Sequence, residues 1–223
     1  MSQRVLVVLI AVVASVLLGL VGLLVALGGG PIDEPRPDPL KPDPMLEGYA
    51  IPPFELVDQD GQPVDQTILE GQVTILAFIF TNCPFACPGM TGQMLRLQDA
   101  LQGTGVRFLS ISVDPANDTP PVLREYAQRN GMDTTRWRLL TGPFEQVRTI
   151  VRDSLNFHVG QDPSRQITMP DGRVMDNISH PSHLILVGPN REVLGIYLYY
   201  EPERMAELER RAKAAWRAVE ERR

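Results

Sequence analysis

The sequence predicts an α/β domain, on three observations. Val73 to Phe80 (VTILAFIF) is a continuous apolar run, as expected of a strand buried on both faces, and Val106 to Val113 reads as a second buried strand. Each is followed by a segment with apolar residues at helical spacing, opened by proline and closed by glycine. Near the C-terminus, two further apolar runs flank Gly188-Pro-Asn-Arg191, which predicts a hairpin.

The elements follow in order. Phe54 to Val57 reads as a short strand, ended by the turn Asp58-Gln-Asp-Gly61. Val73 to Phe80 follows Gly71 and is the first central strand. Pro88 to Leu101 carries Met90, Met94, Leu95, Leu97 and Leu101 on a helical period, with Gly103 beyond. Val106 to Val113 is the second central strand. Pro120 to Gln128 is a helix with Thr119 or Asp118 as cap, Pro120 in its first turn and Gly131 past its end. Trp137 to Leu140 is a short strand and Pro143 to Asp153 a helix. Gln161 to Ser179 reads as a loop. His183 to Val187 and Val193 to Tyr199 are the hairpin strands. Met205, Leu208, Ala212, Trp216 and Val219 mark one face of a terminal helix. A β-α-β-α-β series followed by a hairpin and a helix is the thioredoxin-like layout, a central mixed sheet flanked by helices.

The N-terminus has a different composition. Val5 to Leu27 holds no charge, and as a helix it would span roughly 35 Å, enough to cross a hydrocarbon core of about 30 Å. That exceeds the apolar stretch of a cleaved signal peptide and predicts a retained transmembrane anchor over residues 1–28. Arg4 precedes the stretch, and Asp33, Glu34, Asp38 and Asp43 follow it, so the N-terminus is expected in the cytoplasm and the rest outside. Arg greatly outnumbers Lys, the usage of a GC-rich bacterial genome, so the expected location is a bacterial inner membrane with the domain on the periplasmic side. Residues 29–48 place proline at nearly every second or third position from Pro31 to Pro44, a stiff spacer. The domain is expected over 49–223. A net charge of −6 and a terminal helix of mixed sign point away from nucleic acid.

The chemistry centres on Phe80-Thr-Asn-Cys-Pro-Phe-Ala-Cys-Pro88. Cys83 and Cys87 are the only cysteines, and a loop so short gains little as a staple. Pro88 fits the first turn of the helix, which puts Cys87 at or near its N-cap and Cys83 one turn earlier. The helix N-terminus favours thiolate, the form that binds metal and attacks disulfides. Dithiol oxidoreductases of this layout normally separate their cysteines by two residues, and here there are three. Two soft thiolates select Cu(I) or Zn(II), and an imidazole as third ligand suits copper.

Three histidines could supply it. His180 precedes Pro181 and is held extended in a loop just before the penultimate strand, which in this layout faces the cysteine loop. His183 opens an apolar run and reads as a core residue, so His180 is favoured. His158 reads as ordinary surface or core. Met169 and Met175 could offer thioethers but read as packing.

The order Cys-x-x-x-Cys-Pro after an apolar strand, Ser112-Val-Asp-Pro-Ala-Asn-Asp-Thr-Pro120, and a His nine residues before Pro189 resembles the SCO/SenC family over roughly residues 50 to 200. Those proteins are copper chaperones for cytochrome oxidase assembly. The resemblance implies that Cys83, Cys87 and His180 bind copper, as Cu(I) or Cu(II), for the binuclear copper centre of the oxidase. It implies partnership with the copper-bearing oxidase subunit and with other copper-transfer or thiol-redox proteins. Where the family has an acidic residue before its His and a small one after, this chain has Ser179 and Pro181. Pro181 stands where thioredoxins carry a cis-proline. Asp114 and Asp118 belong to the family motif and read as turn and cap residues.

The alternative expectation is a thiol–disulfide oxidoreductase that keeps oxidase-subunit cysteines reduced, with Cys83 as nucleophile and Cys87 resolving. It would not need His180. A peroxiredoxin would place Thr81 one residue further from Cys83, and structural zinc would need a fourth ligand that only His183 could readily supply.

Overall fold

A computed structural model describes residues 12–20, 23, 38–169 and 171–223. The chain divides into two units, Met1–Asp38 and Pro39–Arg223. Most of the expected anchor lies outside the described residues; within it, 12–20 and 23 are helical with exposed side chains. No helix among the described residues is long and apolar enough to cross a membrane.

In the second unit, β1 (Glu55–Asp58), β2 (Pro63–Asp65), β3 (Thr74–Ile79), β4 (Arg107–Ser112) and β5 (Trp137–Thr141) join β8 (His183–Val187) and β9 (Val193–Leu198) in one sheet. Its order is β2-β1-β5-β4-β3-β8-β9. β3, β4 and β5 run parallel, while β8 lies antiparallel to β3 and β1 antiparallel to β5. The α-helices of this unit among the described residues are α1 (Ala86–Ala100), α2 (Pro120–Asn130), α3 (Phe144–Leu155) and α4 (Pro202–Glu220). This is the α/β, thioredoxin-like mixed sheet that the sequence predicts. All six residues of β3 are buried, as an apolar run without alternation requires. Met90, Met94 and Leu97 of α1, with Leu101 just past its end, are buried in the core. Gly131 ends α2 in the left-handed region (φ 69°), a conformation cheap only for glycine.

Residues of the expected spacer from Pro39 onward lie against this unit. Leu40 is buried, the Asp43 N–H donates to the Leu194 carbonyl at 2.9 Å, and Arg211 pairs with the Asp43 carboxylate at 2.6 Å. Arg211 also donates to the Lys41 carbonyl at 2.7 Å, and the prolines on either side of Asp43 have no N–H to satisfy.

One expectation is corrected. The segment Gln161–Ser179 is not a loop: β6 (Gly160–Thr168) and β7 (Val174–Ser179) form a separate antiparallel ribbon with a register shift between Asp162 and Gln166. Its residues are mostly exposed, so no alternating apolar pattern betrays it. The short strand β2, which opens with Pro63 at the sheet edge, also went unpredicted; proline is tolerated there because an edge strand can spare an N–H.

Candidate metal centre

β3 delivers its C-terminal end to the site. The Cys83 N–H donates to the Phe80 carbonyl at 3.2 Å, turning the chain out of the strand, and α1 starts at Ala86. Cys87 is therefore the second residue of α1 and Pro88 the third, inside the first turn as expected. β8 runs antiparallel beside β3, with Leu76 opposite Ile185, so its N-terminal end lies beside the C-terminal end of β3. The residues just before β8, His180 among them, arrive at the cysteine loop from that side.

Cys83 Sγ, Cys87 Sγ and a ring nitrogen of His180 all lie within 4.8 Å of one another. Both cysteines are free thiols, Cys83 7% and Cys87 1% exposed. His180 Nε2 is 3.5 Å from Cys87 Sγ. Its Nδ1 is 3.2 Å from the Pro181 carbonyl, which can only accept, so Nδ1 carries the proton. In the neutral ring the Nε2 lone pair is then turned to the sulfur side, the form in which imidazole ligates metal. Phe80 packs edge-on against the His180 ring, at 5.6 Å between centroids.

The two thiols are unequal. The hydrogen bond from Cys87 pulls Cys83 down to about 4 against the cost of burial. Cys87 is pushed well above the ordinary thiol range because it is the donor to Cys83 and is more deeply buried. The helix N-terminus favours thiolate, and the hydrogen bond between the two sulfurs puts that preference on Cys83 rather than Cys87.

Asp118 is neither a cap nor a surface turn residue. Thr119 is the N-cap of α2, and Asp118 is 0% exposed behind the cysteine loop. Its carboxylate accepts from the Thr81 N–H (3.1 Å), the Thr81 hydroxyl (2.5 Å) and the Ser112 hydroxyl (2.5 Å). Burial raises its carboxyl to about 6, against the lowering by these donors. Sequence reasoning missed this brace. Its one trace was Ser112, the residue that closes β4. Asp114 does serve the turn, accepting from the Asn117 amide at 2.8 Å.

The other candidates stand apart from the donor set. His183 stacks on Phe157 at 5.0 Å between ring centroids, and its buried Nδ1 has no partner. His158 is exposed over Gly160. Met169 is buried, and Met175 Sδ lies 3.9 Å from the Asn117 amide. Every peptide bond among the described residues is trans, the one before Pro181 included.

The SCO1/SenC family model matches residues 44–214. The SCO1 protein homolog of Bacillus subtilis is 34% identical over 190 residues, which cover 83% of this chain and 88% of that protein. BsSco, described as a member of the Sco family of cytochrome c oxidase assembly proteins with a disulfide switch, is 32% identical in its solved structure. The TM-score is 0.63, covering 79% of this chain and 97% of that one. Arabidopsis thaliana ScoI with copper bound is 25% identical at a TM-score of 0.59, covering 74% and 99%. A family match over most of the domain, together with a relative matched over most of its own length, shows that the chain belongs to the SCO1/SenC family.

Proposed function

We propose that this protein is a membrane-tethered copper carrier that loads one copper ion on Cys83, Cys87 and His180 and delivers it to the binuclear copper centre of cytochrome c oxidase. The observation that carries the reading is the convergence of two sulfurs and one imidazole nitrogen within 4.8 Å at the end of β3. Two thiolates and one imidazole are a soft donor set that suits Cu(I) and accommodates Cu(II), and three ligands leave the ion open to exchange. Copper is cargo here, and Cys83, already a thiolate, is the first donor available to it.

The tether is the apolar stretch Val5 to Leu27, with residues 1–28 as anchor, 29–48 as spacer and 49–223 as carrier domain outside a bacterial inner membrane. The printed descriptions of the relatives support copper as cargo and an oxidase as recipient. Oxidation of Cys83 and Cys87 to a disulfide would remove both sulfur ligands, so loading depends on redox state. A dithiol reductase reading has no use for His180, and the seating of that ring against Cys87 favours the carrier.

The test is titration of the reduced, metal-free chain with Cu(I) against a competing chelator. One equivalent bound tightly by the dithiol and none by the disulfide form is expected. Equal binding by both forms would refute the reading.

A further inference from the structure

A groove of about 620 Å³ runs from Cys83 between α2 and the β6–β7 ribbon. Gln166, Ile167 and Thr168, three successive residues of β6, all border it. Side chains of a strand alternate between faces, so three in a row mean that β6 turns its edge, and hence its backbone, to the groove.

The register says which backbone groups face outward. The Met169 N–H donates to the Arg173 carbonyl at 2.7 Å, and Ile167 pairs with Met175 and Thr168 with Val174. Hydrogen-bonded and non-bonded pairs alternate along an antiparallel ladder, so Ile167 is bonded to β7. Gln166 and Thr168 therefore point their N–H and C=O groups away from it. No other element among the described residues supplies these groups with a partner. The register shift between Asp162 and Gln166, which contains Pro163, blunts the edge before this point.

We infer that the groove seats an extended segment of a partner polypeptide as an added strand on Gln166–Thr168, carrying a cysteine to Cys83. The identity of that segment as a copper-exchanging one rests on the carrier reading above; the strand addition itself does not. An open strand edge selects an extended backbone. The thiolate at the end of the groove selects a partner with a soft donor, because metal exchange needs an incoming ligand of that kind. On the opposite wall Arg129 pairs with Glu125 at 3.6 Å, so that wall offers no net charge and suits an uncharged segment. Val122, one turn before Glu125 on α2, is the apolar contact.

The probe is a capped seven-residue peptide of alternating threonine and valine with one central cysteine, added to the full-length, reduced, metal-free chain. Amide hydrogen exchange at Gln166 and Thr168 is expected to slow at least tenfold on binding. Thr168→Pro removes an outward N–H without removing a β6–β7 bond and should weaken the peptide at least tenfold with copper affinity unchanged. Val122→Trp fills the groove from the helix side and should do the same with the strand intact. Unaltered exchange, or peptide affinity in both variants equal to the parent's, would overturn the inference. Slowing that depends on protein concentration without peptide would also overturn it, since the occupant would then be a second copy. No metal enters the exchange and peptide-binding measurements, so a chain that fails to bind copper refutes the carrier reading while edge pairing is still read directly.

Discussion

His180 is fixed between a sulfur and a carbonyl: Nε2 stands 3.5 Å from Cys87 Sγ while Nδ1 donates to the carbonyl of Pro181 at 3.2 Å. The donor to the carbonyl settles the tautomer, and the tautomer turns the lone pair toward the sulfurs. Nitrogen-15 NMR of the reduced, metal-free protein is expected to give the Nδ1–H coupling pattern for the neutral His180 ring. An Nε2–H pattern would contradict the geometry.

The shared proton of the cysteine pair is open to chemical test. Cys83 is held at about 4, chiefly by the hydrogen bond from Cys87. Its alkylation by iodoacetamide should therefore be nearly flat with pH from about 6 to 9, where an ordinary thiol rises steeply. Cys87→Ala removes the donor and should move the midpoint up toward about 8.5. A parent protein whose reactivity titrates near that ordinary value would contradict the assignment.

Asp118 makes the fold pH-sensitive. Its folded carboxyl, at about 6, lies above the unfolded value of 3.8, so the native state binds that proton more tightly. The stability it contributes is fully present below the unfolded value and is lost as pH rises through about 6, at a cost of about 3 kcal/mol. Asp118→Asn keeps a neutral acceptor for Thr81 and should be more stable than the parent at pH 7.5 and similar to it near pH 4. Urea unfolding at the two pH values measures this. A variant less stable at pH 7.5 would mean that the ionised brace outweighs its burial.

His183 separates packing from ligation. Its ring stacks on Phe157, and its buried Nδ1 lacks a partner, a deficit of order 1–3 kcal/mol. His183→Phe keeps the stack and removes the orphaned nitrogen, so stability should rise by about 1 kcal/mol with copper affinity unchanged. Burial also lowers the His183 pKa, so the parent loses stability as pH falls below the ordinary histidine range and the variant does not share that loss. Loss of copper affinity in this variant would bring His183 into the ligand set.

What the sequence disclosed follows the strength of local signals. Val73 to Phe80 announced β3 because an uninterrupted apolar run has no other place to go. His180 could be singled out because a histidine ahead of a proline is held out of the following strand. The β6–β7 ribbon was hidden: its outward residues are polar, Pro163 interrupts it, and its stability comes from backbone pairing that leaves no periodic trace. Asp118 was misread for a different reason. An aspartate before Thr-Pro has the local signature of a cap, but β3–β4 pairing sets Ser112 opposite Ile79, and the two strand ends surround the carboxylate with donors. Tertiary placement outweighed a cap worth only about 1 kcal/mol.

The central claim is that His180 completes a copper site with the two thiolates. The most direct measurement is Cu(I) affinity of the reduced full-length chain beside its His180→Ala variant, by competition with a chelator of known affinity. One copper per chain in the parent, with affinity reduced at least tenfold in the variant while both thiols remain reduced, is the predicted result. Equal affinity in the two proteins would contradict it and leave the dithiol alone as the metal-binding group.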